Sequence, residues 1–121
     1  MNTKDYTKYI FQNKICGKGR LVLEVIKEFV RNNPEITFQK LLEEFPNALQ
    51  EDTRIQFSDK RVVIAKLGNI SEKDLKRFHL ETEDIICLID AKVVVSREWN
   101  LENIKSFIDK AMTLGFDIEV N

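Results

Sequence analysis

An α+β fold, with N-terminal helices, two β-hairpins and a C-terminal β-β-α-β unit, is predicted by three features of the 121-residue chain. The apolar period is 3.6 over residues 20–45 and switches to 2 over residues 54–65. Two nearly continuous apolar runs, residues 85–89 and 93–95, follow, and then a last helical stretch opens at Asn100. Hydrophobic residues make up 43% of the chain and charged ones 32%, enough for one core beneath a solvated surface. This length suits a single domain spanning 1–121.

The elements follow in order. Residues 1–19 fit either a helical turn, from the spacing of Tyr6, Tyr9 and Ile10, or a short edge strand through Ile10 and Phe11. From Arg20, the apolar residues Leu21, Val22, Val25, Ile26, Phe29 and Val30 recur at helical spacing, and Leu23 widens the face. Asn32-Asn33-Pro34 ends this helix, because proline disfavours helical geometry in the residue before it. Thr37 is placed to cap a second helix with the stripe Phe38, Leu41, Leu42 and Phe45, and Pro46 stops it. Ala48 and Leu49 add a further turn. Residues 54–57, a polar turn at 58–60 and residues 61–65 read as a hairpin. Ser71 with Asp74 resembles a capping box, so a short helix is expected over residues 72–78.

The second hairpin comprises residues 85–89, the turn Asp90-Ala91-Lys92 and residues 93–95. Asn100 caps the final helix, whose face carries Leu101, Ile104, Phe107, Ile108, Ala111 and Leu114. Gly115 stands where a left-handed C-terminal cap belongs. Phe116, Ile118 and Val120 then alternate as a closing strand, with the helix packed between it and the second hairpin.

Composition and charge narrow the chemistry. No run of about 18 apolar residues is present and the N-terminus lacks a secretory apolar region, so a cytoplasmic protein without membrane contact is expected. Cys16 and Cys87 are far apart and belong to no C-x-x-C pair, which fits two reduced thiols. His79 is the only histidine, which leaves no two-histidine site and reads as structural. Cys87, inside an apolar strand, reads as a buried small hydrophobe. The acid pairs Glu43-Glu44 and Glu51-Asp52 and the run from Glu81 to Asp84 read as solvated surface. No catalytic residue, metal ligand or cofactor loop is assigned, and the chain reads as a non-enzyme.

Net charge is −1, so a strongly basic nucleic-acid footprint is missing overall. The charge is nevertheless uneven, with seven Lys/Arg against three acids over residues 1–31. Gly17-Lys18-Gly19-Arg20 just before a helix would suit phosphate binding, although its spacing is not that of a P-loop and the glycines equally suit a tight packing turn. Lys14, Lys18, Arg20 and Lys27 are the candidate nucleic-acid contacts. Trp99, the only tryptophan, is the candidate interface anchor or, more simply, a lid on the last helix.

Two stretches carry a resemblance. One runs through Gly17-Lys18-Gly19-Arg20-Leu21-Val22-Leu23, Asn33-Pro34-Glu35-Ile36-Thr37-Phe38, Phe45-Pro46 and Leu49-Gln50. The other comprises Val94-Val95-Ser96, Trp99, Asn103-Ile104, Phe107-Ile108, Ala111 and Leu114-Gly115-Phe116. Together they resemble a family of small uncharacterised bacterial proteins, a module found alone or beside restriction and phage-defence genes. The resemblance implies a cytosolic bacterial protein and brings no catalytic residues; the chain departs from the family at Asn100, where a glycine usually follows the tryptophan. Residues 20–45 also look like the first two helices of a winged helix, with the 54–65 hairpin in the wing position. Between Pro46 and Arg54, however, there is no room for a recognition helix. The expected function is a bacterial binding or regulatory module with weak nucleic-acid contact through the N-terminal basic segment. The alternative is a protein–protein or homodimerisation module, in keeping with defence association.

Overall fold

The computed structural model describes residues 7–50 and 62–121. Two three-stranded antiparallel sheets and three α-helices make the α+β fold. The ambiguous N-terminal segment is a hairpin: β1 (Tyr9–Phe11) pairs with β2 (Lys14–Cys16). Gln12 and Asn13 both adopt positive φ, 52° and 66°, as a two-residue hairpin turn of the primed type requires. No glycine announces this turn, and Gln12 carries the steric penalty of the left-handed region.

Helix α1 (Lys18–Asn32) begins two residues before the apolar pattern does. Leu21, Val22, Leu23, Val25 and Ile26 are all fully buried, so the helix is covered around most of its circumference and packs against β1, β2 and α3. Its end is tied by the Asn33 side chain, which donates to the Phe29 carbonyl at 2.8 Å. In α2 (Phe38–Glu44) the Thr37 hydroxyl accepts from the Lys40 amide, as its position predicts. The Phe38 amide donates to the Asp90 carboxylate at 3.0 Å, fastening the distant turn of the second sheet to this helix. A 3-10 turn, Asn47–Gln50, follows Pro46.

The expected 54–65 hairpin lies mostly outside the described residues. Its described end forms β3 (Ile64–Lys66), which pairs with β5 (Lys92–Val95). The second hairpin is as expected but shorter: β4 (Ile86–Cys87) pairs with β5, with Ile86 opposite Val93 and Cys87 opposite Lys92. Val93, Val94 and Val95 are fully buried because β5 is the central strand and both of its faces are covered. Cys87 corrects the sequence reading. It is exposed, since β4 is an edge strand and only Ile86 turns inward. The stretch Glu72–Arg77 is a 3-10 helix, and the Ser71 hydroxyl donates to the Asp74 carboxylate at 2.8 Å instead of capping backbone.

Asn100 does cap α3 (Leu101–Thr113). Its side-chain Oδ1 accepts from the Glu102 and Asn103 amides, and the Asn103 side-chain Oδ1 accepts from the Asn100 amide in return. Leu101 departs from expectation at 46% exposed, whereas Asn103 is buried. The apolar stripe is correct, but the first turn of α3 projects past the core. At the other end Gly115, at φ +94°, completes a Schellman cap, with its amide on the Met112 carbonyl and the Phe116 amide on Ala111.

The closing strand is the largest topological difference. Strand β6 (Glu119–Val120) does not return to the β4–β5 hairpin; it joins β1, giving the order β2-β1-β6. Helix α3 therefore bridges two sheets. Val120, expected to face inward, is 69% exposed at the sheet's outer edge. One apolar cluster nonetheless runs from Tyr9 and Phe11 through α1 to Val93, Val95, Ile104 and Phe107.

Candidate functional site

Lys14, Lys18, Arg20 and Lys27 are the cations that the sequence offers as phosphate contacts, and the structure gives three of them carboxylate partners. Arg20, Glu24 and Lys27 share one side of α1 by their spacing of four and three residues. Arg20 donates through one guanidinium nitrogen to both oxygens of Asp84, at 3.0 and 3.1 Å, and through the other it pairs with Glu24 at 3.0 Å. Lys27 lies 3.7 Å from Asp84 and donates to the Glu83 carbonyl at 2.9 Å. Lys14, on β2, lies 3.6 Å from Glu24. Three of the four are thus joined in one network by two carboxylates. Lys18, at the head of α1, is not part of that network of ion pairs, although it has a contact of its own.

Asp84 was missed by sequence reasoning. It sits in a run of acids that reads as solvated, yet it is only 4% exposed, at the end of the 3-10 turn Thr82–Asp84. Nothing in the run distinguishes it from Glu81 or Glu83. Only the turn that aims it at α1 does so.

The glycine motif is chiefly a packing device. A Cβ on Gly19 would lie 3.1 Å from the Arg97 carbonyl oxygen, so a larger residue would need the first turn of α1 and the 97 backbone to move apart by a few tenths of an ångström. His79 lies at the same junction. Its Nε2 is 3.0 Å from the Gly19 carbonyl and its backbone amide donates to Val95. Burial pushes the His79 pKa below its ordinary value, opposed by the Gly19 hydrogen bond and Asp84 and assisted by the nearby Arg97 and Arg20 charges.

The first turn of α1 carries Lys18 and Arg20. Helix α1 has no acidic residue there, and its leading amides have no acceptor within the helix. A Cβ on Gly17 would lie 3.5 Å from Lys8 Nζ, and Arg97 adjoins Gly19. Neither Lys8 nor Arg97 forms an ion pair among the described residues, and both are exposed.

Trp99 is half-buried and its indole N–H donates to the Ser96 carbonyl at 3.0 Å. It meets Phe107 edge-on at 5.4 Å; Phe107 stacks on Phe45 at 5.7 Å, and Phe45 meets Phe29 edge-on at 5.3 Å. Trp99 thus closes an aromatic row that crosses the core.

The surface is hollowed at two places among the described residues that have a defined lining. An open cleft of about 660 Å³ between the end of α1 and α2 has Phe29, Pro34 and Ile36 in its lining, with Glu35 and Lys40 among its charged groups. A smaller one of about 130 Å³ is lined in part by Ser71, Asp74, Arg77 and Glu98, which bond to one another. Among the described residues no group of three or more His, Cys, Asp or Glu is arranged to hold a metal ion. No helix among them is long and apolar enough to cross a membrane. The class defined by this architecture is a small α+β protein with two antiparallel sheets bridged by helices. Comparison with protein-family models, curated proteins and solved structures finds no match to the chain.

Proposed function

We propose that the protein is a non-enzymatic binding module, of the bacterial regulatory kind its sequence resembles, that contacts nucleic-acid phosphates at the N-terminal turn of α1. The observation that carries this reading is the amide end of a 15-residue helix with no acid in its first turn, where Lys8 Nζ comes close to Gly17 and the Arg97 backbone lies against Gly19. Backbone amides and the helix dipole favour an anion at such an end, and flanking cations add to them. The contact shifts from the set Lys14, Lys18, Arg20 and Lys27 toward the helix end, because Lys14, Arg20 and Lys27 have carboxylate partners of their own. A contact made by few cations is weak and sensitive to salt.

Fluorescence anisotropy with labelled duplex and single-stranded DNA across a salt series tests it. Binding should weaken linearly on a log–log plot, with a slope of about −0.9 per phosphate contact on duplex. Lys8→Glu with Arg97→Glu should abolish binding while leaving the circular dichroism spectrum unchanged. No binding at low salt, or a double variant that binds like the parent, sinks the reading.

The competing reading, a homodimerisation module, is favoured by Ile15. It is 65% exposed on β2, an edge strand of the first sheet among the described residues, and an edge strand can accept another. Sedimentation velocity of the parent and of Ile15→Lys separates the two readings: a dimer lost on substitution supports association, and a monomer at all concentrations removes it.

A further inference from the structure

The basic residues of α1 meet an acidic surface supplied by the chain itself. The turn Thr82–Asp84 brings Asp84 against Arg20 and Lys27, and Glu24 stands between Arg20 and Lys14, so charges alternate as Lys14, Glu24, Arg20, Asp84, Lys27. Every cation in this row has a carboxylate within 4.0 Å, and both ends of the Arg20 guanidinium are engaged.

Lys14 and Arg20 reach solvent, at 67% and 47% exposed, but the carboxylates that hold them do not. The Asp84 side chain is 5% exposed and that of Glu24 13%. A phosphate that drew Arg20 or Lys27 away would leave the Asp84 charge buried without its partners, which is strongly unfavourable. The internal carboxylates are also held in place by the fold, whereas a ligand must be brought in from solution.

We infer that Asp84 and Glu24 act as an autoinhibitory contact, withholding Lys14, Arg20 and Lys27 from nucleic-acid phosphates and confining the contact to the first turn of α1. This inference rests on the function proposed above. The acids occupy the positions that phosphate oxygens would take on the basic face. They set where the nucleic acid can sit, and how few of its counterions are displaced.

The test uses the full chain and a fluorescein-labelled 20-base-pair DNA duplex, read by anisotropy from low to moderate salt. Glu24→Gln releases Lys14 and one side of Arg20, and Asp84→Asn releases Lys27 and the other side, so each should steepen the log–log salt slope by about 0.9 to 1.8. Glu35→Gln supplies the control. Glu35 is exposed and has no ion pair among the described residues, so the substitution changes net charge equally without releasing a cation and should leave the slope unaltered. Circular dichroism verifies folding, and Glu24→Gln keeps the question answerable should Asp84→Asn unfold.

If the parent binds and both variants match Glu35→Gln, the masking is wrong and the first-turn contact stands. If the parent is silent and the variants bind, the masking is upheld and the first-turn contact falls. If none of the proteins binds, both proposals fall together.

Discussion

His79 is held through its ring as well as its backbone, and that makes it a local probe of the junction between α1 and the second sheet. Burial depresses its pKa in the folded protein, so the unfolded chain takes up a proton at the higher pH. The unfolded state is therefore stabilised first on acidification. Native stability should decline as the pH falls through about 6.5 and level off below the native pKa of the group. Urea unfolding of the parent and of His79→Gln between about pH 8 and 5.5 checks the sign, since glutamine can still donate to the Gly19 carbonyl without titrating. A parent whose stability rises on acidification, or a variant with the same pH profile, contradicts this account. A residue of this kind is half legible in sequence: its type shows that it can titrate, but only the fold shows the Gly19 carbonyl 3.0 Å from the ring.

At the level of elements, the caps were the best-read features because their chemistry is local. Thr37, Asn100 and Gly115 each act within a few residues of their own position, so the pattern that specifies them is complete in the sequence. Asn100→Ala should destabilise the protein by about 0.5–2 kcal/mol. Asn103→Ala should cost at least as much, because this buried side chain accepts the reciprocal bond and leaves the Asn100 amide unpaired when removed. Leu101→Asp should lie within about 0.5 kcal/mol of the parent, since the side chain is half exposed and an acid suits the first turn of a helix. Chemical denaturation ranks the three; a Leu101→Asp variant worse than Asn103→Ala would place that side chain in the core. The strands were less legible than the caps. β1, β2, β4 and β6 are two or three residues long, too short for a period-2 signal, and the partner of β6 lies more than a hundred residues away. Asp84 was illegible for a related reason, since its burial depends on a turn that brings it to a distant helix.

The whole molecule is organised by side chains that join its two sheets. The row from Trp99 through Phe107 and Phe45 to Phe29 crosses the core, while Arg20 and Lys27 fix α1 to the approach to β4. Burial of Trp99 within one copy of the chain predicts blue-shifted emission that does not change on dilution. Trp99→Ala should lose about 3 kcal/mol, the lower end for an aromatic truncation, because the ring is only half-buried. Emission that reddens as the protein is diluted would instead assign the covering surface to a second copy.

The pairing of β6 with β1 also has a consequence for vectorial synthesis. Tyr9 and Ile10 emerge from the ribosome early, yet the strand that flanks them carries residues 119 and 120. The hairpin of β1 and β2 can close at once, and α1 can settle against it, but the other side of β1 stays open until residues 119 and 120 have been made. The entropy of closing so long a loop grows only logarithmically with its length, so the final docking is slow to become available without being greatly disfavoured. During that interval the backbone of β1 is a template for any extended segment nearby, including the same segment of a neighbouring nascent chain on one polysome. The order in which the chain is made therefore closes this side of β1 later than the hairpin and the helix beside it.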